Sequence, residues 1–516
     1  MDQIVETTAG KVLGVVDEQI VSFRTIPYAA ATSGMNRFLP PCPPAAWSGL
    51  RDCTSFTGHS PQAGLAPVPI PDLADFSGAP DASPETEDCL TVNIWTPAAD
   101  PAARRPVMVW FHGGAFAYGN ANAPRLRGTR LARRNDVVVV SVNQRLNIFG
   151  HLDLSAFGGE AFRHSGNAGT LDMIAALEWV RDNIVAFGGD PGNVTIFGES
   201  GGGGKVSTLL AMPRAAGLFH RAIIQSGAAV RLRTRERALA LTECVRQHLG
   251  SSAATIDALQ TVSVEQLLAA IGPAQQALGP SPTLLFDRYP FGPVVDGDLL
   301  PAHPFDPTAP DVSADIPLII GDMKDETANF LAVDERVWHR TLTEQQMREK
   351  VASIAGTQTD RVLDLYSRLY GHLNPAERLI AITTDSNFRI RSLVLAQRRA
   401  AKNRAPVWMY SFDWETPVLG GRLKAPHAMD VPFTFNTLDL TNATGGSREA
   451  QALSDTMSSV WATFARNGTP RHASIPDWPA YDARTRATLI LDKVCRIEND
   501  PRGEGRRLWQ DITGTL

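Results

Sequence analysis

Residues 197–202 read Phe-Gly-Glu-Ser-Gly-Gly, a G-x-S-x-G pattern centred on Ser200. The apolar run Val194–Phe197 precedes it, and Lys205–Met212 begins a helix after the glycines. A serine held on a sharp strand-to-helix turn projects its hydroxyl beyond the sheet edge, and flanking glycines let the backbone turn without a Cβ clash. The following helix directs its N-terminal N–H groups toward the hydroxyl, where negative charge develops. This is the chemistry of nucleophilic acyl transfer, which also needs donors for a tetrahedral oxyanion. His112-Gly113-Gly114-Ala115-Phe116 supplies them directly after the apolar run ending at Phe111. Paired glycines free successive N–H groups to face one point, so the expected donors are the backbones of Gly114, Ala115 and Gly201. His112, at the strand end, reads as structural. An acid is expected next in chain order, and a histidine after it. Gly321-Asp322-Met323-Lys324-Asp325-Glu326 follows the apolar strand Ile316–Ile320 and so lies at a sheet's carboxyl edge, where ligands bind. Composition does not choose among Asp322, Asp325 and Glu326, nor among the eleven histidines.

The elements that must hold these residues are legible in outline. Leu90–Trp95, Val107–Phe111 and Val137–Val142 are strand-like, and the last two are the near-continuous apolar or β-branched runs of strands buried on both faces. Thr170–Phe187 carries Leu171, Ile174, Leu177, Val180 and Ile184 at helical spacing and stops at Gly188-Gly189-Asp190-Pro191. Strand and helix in alternation predict an α/β fold, a mostly parallel sheet covered on both sides. Residues 10–28 read as an N-terminal hairpin, Gly64–Glu87 as a Pro-, Asp-, Ala- and Ser-rich loop, and residues 330–402 as a mainly helical lid or side layer. No linker marks off a second unit, so all 516 residues are expected to form one domain.

Composition narrows the function classes. With 43% hydrophobic and 20% charged residues the chain is an ordinary globular protein, and a net charge of −5 offers no footprint for nucleic acid or an anionic membrane. No apolar run approaches the roughly 18 residues of a membrane helix. The segment Met1–Glu6 carries acids and no apolar core, so no secretory signal is expected. Five cysteines, odd in number and without metal-ligand spacing, point to free thiols in a reducing cytoplasm and to no zinc or iron–sulfur site.

Beyond the motifs, the chain resembles the type B carboxylesterases, the family of bacterial para-nitrobenzyl esterases, liver esterases and cholinesterases. The matches run almost end to end. They include Phe23–Ala29 (with Thr25 where glycine is usual), Arg37–Pro41, Trp47–Gly49, Glu87–Asn93, Val107–Gly119, Asn143-Gln144-Arg145 (usually Asn-Tyr-Arg), Phe187–Pro191, Phe291–Gly297 and Trp478–Tyr481. The resemblance implies the α/β-hydrolase fold and ester hydrolysis without cofactor or metal. It places the acid at Glu326 and the histidine at His427, in Ala425–Phe433, where Asp430 replaces a more usual glutamate. It marks Ser226 as a serine that braces the site, and Gly201 as a position where relatives often carry alanine, with a looser elbow expected here. Glu199 reads equally as an acid tuning His427 and as one satisfying nearby backbone. Residues 60–88 lack the tryptophan that stacks on choline, and Ser60 stands where a cysteine pairs with the counterpart of Cys89 in secreted relatives. The expected substrate is therefore a non-choline ester, met by an aryl- or short-chain pocket of Phe116, Tyr118, Phe286, Tyr289 and Phe291. Core packing accounts as well for at least two of these five. A carbamate or amide hydrolase with the same residues is the alternative, and a non-catalytic binding protein the remoter one.

Overall fold

The structure, a computed structural model, describes residues 2–63, 70, 73, 76–279 and 289–514. Its centre is a thirteen-stranded sheet. β1 (Asp2–Thr7), β2 (Gly10–Asp17), β3 (Ile20–Pro27) and β5 (Thr91–Thr96) form an antiparallel flank, with β4 (Leu50–Asp52) paired beside β2. The expected hairpin is β2–β3, turned at Glu18 and Gln19, both with positive φ (48° and 65°). The body of the sheet runs parallel in the order β7 (Val138–Val142), β6 (Arg105–Phe111), β8 (Gly189–Glu199), β9 (Arg221–Gln225), β12 (Leu318–Met323), β13 (Val407–Phe412) and β14 (Ala487–Leu491). An antiparallel β15 (Arg496–Asn499) closes the far edge. β10 (Arg233–Thr234) and β11 (Val294–Val295) pair separately.

The pleat explains why these strands read as continuous apolar runs. Along β6, Val107, Val109 and Phe111 meet a layer containing Leu171, Ile174, Leu177 and Val180 of helix Ala168–Asn183. Met108 and Trp110 face the opposite layer, with Met457, Val460 and Trp461 of helix Arg448–Asn467. Both faces are thus dry, as a parallel sheet between helices requires.

Two local expectations need correction. The helix after Ser200 begins at Gly201, before Lys205. Four successive glycines are poor helix formers, but here tertiary packing overrides propensity: a Cβ on Gly202 would collide with the Phe111 carbonyl. β12 also runs beyond Ile320 to Met323, which puts Asp322 on the strand. The segment 330–402 is helical, in pieces including Glu344–Ala355, Thr359–Tyr370, Pro375–Thr384 and Ile390–Ala401, with a π-helical turn at Asp385–Arg389.

Candidate active site

Ser200 sits at the carboxyl end of β8 with φ 57° and ψ −121°, as the residue capping helix Gly201–Leu209. That backbone is held by its neighbours, since Ser200 N donates to Gln225 O of β9 at 2.8 Å and Gly204 N to Ser200 O at 3.0 Å. Strain persists only where such surroundings over-determine it, and such positions cluster at functional sites. Glu326 lies just beyond the end of β12 and is wholly buried. Its Oε1 accepts from Met323 N at 2.8 Å, and its Oε2 lies 2.5 Å from His427 Nδ1. His427 precedes helix Asp430–Phe435, and its own N–H donates to Glu326 O at 3.3 Å. The two sibling acids point elsewhere. Asp322 turns to Arg389, 3.4 Å away, and Asp325 accepts from Ala425 N at 3.3 Å.

A cavity of about 750 Å³ opens over these groups and is lined by Ser200, His427, Glu199, Gly113, Gly114 and Ala115. Ser200 Oγ makes no hydrogen bond to a described residue. His427 Nε2 instead faces Glu199 Oε1 at 3.2 Å. Burial lifts Glu199 to about 8. Burial alone would lower His427, but the carboxylates of Glu199 and Glu326 outweigh it and raise the imidazole to about 9. Phe330 and Phe388, stacked 6.1 Å apart, each stand 5.0 Å from the His427 ring. Asp430, where glutamate is usual, is buried and accepts from Gln225 Nε2 and Tyr410 Oη, both at 2.8 Å.

The loop after β6 takes the left-handed backbone its glycines permit, with φ 89° at Gly114 and 56° at Ala115. It is braced from behind. Lys205, wholly buried, donates from Nζ to His112 O at 2.8 Å, and the Gln144 amide stands 2.9 Å from His112 Nε2. Burial holds the Lys205 ammonium well below its ordinary pKa. The elbow at Gly201 is tight, contrary to expectation, because a Cβ there would run into the backbone of Ala115. Ser226 Oγ is buried without a hydrogen-bond partner among the described residues.

Of the five pocket aromatics, Tyr118 and Tyr289 line the cavity, ring against ring at 5.3 Å. Phe116 and Phe291 do not. Phe116 is buried against His151, 5.6 Å between rings, and Phe291 joins a separate apolar cluster with Phe38 and Phe149. Phe286 lies outside the described residues. Sequence reasoning missed Phe330, Phe388 and Arg125, which line the cavity, and Lys205, which reaches His112 O from the helix that follows Ser200. A lysine following four glycines next to the elbow was the one available signal among them.

The profile of the carboxylesterase family matches residues 1–509. The para-nitrobenzyl esterase of Bacillus subtilis (strain 168) is 40% identical over 508 residues, with 98% of each chain covered. Phenmedipham hydrolase of Pseudarthrobacter oxydans is 33% identical, with 96% of this chain and 97% of that one covered. Among solved structures, a Geobacillus stearothermophilus carboxylesterase crystallised at pH 6.2 superposes with a TM-score of 0.83 at 38% identity, covering 98% of this chain and all of the other.

Proposed function

This chain belongs to the carboxylesterase family and is a serine hydrolase of carboxylic esters, and we propose that Ser200 is its nucleophile, His427 its base and Glu326 the acid that orients the base. The observation that carries this reading is the 2.5 Å contact between Glu326 and His427 Nδ1 in a cavity that Ser200 shares. His427 Nε2 takes the hydroxyl proton as Ser200 Oγ bonds to the ester carbonyl carbon, and Glu326 stabilises the resulting imidazolium. The N–H groups of Gly114, Ala115 and Gly201 hold the oxyanion, each worth on the order of 3 kcal/mol. The tetrahedral adduct collapses, the alcohol leaves with the proton from His427, and water repeats the sequence to release the acid. For this the imidazole Nε2 must turn from Glu199 toward Ser200 while Nδ1 stays on Glu326.

Tyr118, Tyr289, Phe330 and Phe388 put four aromatic rings in the cavity walls and suit aryl or short-chain esters. Across a series of para-nitrophenyl esters, kcat/KM is expected to peak at short acyl chains, and a fluorophosphonate is expected to label Ser200. A preference for acyl chains beyond about twelve carbons, or a label elsewhere, would overturn the reading. All five cysteines are free, which supports a cytoplasmic setting, and a continuous sheet supports one domain with residues 330–402 as its lid.

The pH dependence follows from the charges around His427. The base must be neutral to accept a proton, so kcat/KM rises as the Glu199–His427 pair loses a proton. Glu199→Gln removes an anion that raises His427. The acid limb of kcat/KM is therefore expected to move to lower pH, by on the order of one unit. A limb that stays in place would show that Glu199 carries no charge in the working range.

A further inference from the structure

Arg125 lines the same cavity, and the ester reaction has no use for it. It sits in the short turn Pro124–Leu126, and Ala123, Leu126 and Trp110 also line the cavity. The turn is fixed: Thr437 Oγ1 donates to Arg125 O at 2.8 Å. The side chain is held far less. Its Nη1 reaches Ser77 O only at 3.5 Å, the outer limit of a hydrogen bond, and among the described residues it makes no ion pair. Several arginines drawn into this protein close on carboxylates: Arg37 on Glu87 and Arg145 on Asp172 at 2.6 Å, Arg502 on Asp413 at 2.9 Å. Buried Arg399 closes instead on the carbonyls of Ser313 and Ile316. Arg125 has neither kind of anchor at short range. The remaining charges of the cavity are already matched, Asp81 by His59 at 3.3 Å and Glu199 by His427. Burial works against the Arg125 charge, Glu199 in its favour, and a guanidinium keeps its proton regardless. Among the described residues no carboxylate closes on Arg125, and a sheltered cation so placed is a site for an anion.

We propose that Arg125 forms a carboxylate-binding subsite, and that the favoured substrates are esters carrying a second, free carboxylate, such as hemi-esters of dicarboxylic acids. The planar fork of the guanidinium grips such a group through two parallel N–H bonds, which fixes the ester's orientation relative to Ser200. The same charge disfavours esters with a cationic alcohol. This rests on the ester-hydrolase reading and names its substrate class.

The test compares 4-nitrophenyl hydrogen glutarate with 4-nitrophenyl pentanoate, an uncharged ester of matching length, for the wild-type enzyme, Arg125→Met and Arg125→Lys. The readout is the ratio of kcat/KM for the anionic ester to that for the neutral one, in which any loss of folded enzyme cancels. Arg125→Met is expected to lower this ratio about 10- to 100-fold, mainly through KM, with partial rescue in Arg125→Lys and a smaller effect at high salt. An unchanged ratio would overturn the subsite. Wild-type enzyme inactive on both esters would overturn instead the reading on which the subsite rests.

Discussion

Ser200→Ala is expected to lower kcat/KM for ester hydrolysis by about 10⁴-fold or more while the protein stays folded. The loss is large because the acyl-enzyme route closes altogether, leaving only the polarisation that the Gly114–Ala115 loop gives a bound ester. The fold should survive for reasons visible around the residue. Ser200 Oγ has no hydrogen-bonded partner among the described residues, so removing it strands no buried group. Alanine occupies the same backbone well as serine, and the bonds from Gln225 and Gly204 that hold that well are backbone ones. Steady-state kinetics with a thermal melt checks both halves. Activity above about a tenth of wild type, in protein free of wild-type contamination, would remove Ser200 from the mechanism.

Glu326→Gln is expected to cost about 10³- to 10⁴-fold in kcat, with KM little changed. The substitution keeps the volume and one acceptor, which can still take the Met323 N–H now held at 2.8 Å. What it changes is the partner of His427 Nδ1. An amide NH₂ directed at that nitrogen requires it to be unprotonated, which leaves the proton on Nε2, where a base must be empty. It also removes one of the anions that lift the imidazole. The neighbouring changes Asp322→Asn and Asp325→Asn serve as controls, since neither carboxylate contacts His427 in this fold. A drop smaller than tenfold in Glu326→Gln, or an equal one in either control, would move the acid's role elsewhere.

Much of this arrangement could be read before any coordinates, and the reasons for the gaps are physical. β6, β7 and the Val194–Phe197 part of β8 announce themselves because strands buried on both faces need apolar residues at nearly every position. β1 escaped because it is an edge: it pairs only with β2 and leaves Ile4 58% exposed, so its pattern is weak. The helix start at Gly201 was missed because the glycines follow from contacts with Phe111 and Ala115, far away in sequence, which no local propensity reports. Ser200 and the Gly114–Ala115 loop lie on short motifs with their own mechanics and were readable. Choosing Glu326 over Asp322 and Asp325 needed either the family likeness or the position of His427. Phe116 and Phe291 show the limit of reading aromatics near a motif, because a ring beside an active loop and a ring beneath it have the same sequence signature. Arg125 was invisible for the converse reason: a charged residue reads as surface until the fold encloses it.

The backbone of Ser200, at φ 57° and ψ −121°, also restricts which residues could replace it during evolution in the nucleophilic role proposed for it. Threonine carries a hydroxyl of similar reactivity, but its branched Cβ is a poor occupant of positive φ, where even unbranched residues are uncommon. Cysteine has serine's branching and meets no such barrier. The chain can therefore cross from oxygen to sulfur nucleophiles by one substitution without disturbing the elbow, whereas the passage to threonine is closed by the main chain itself.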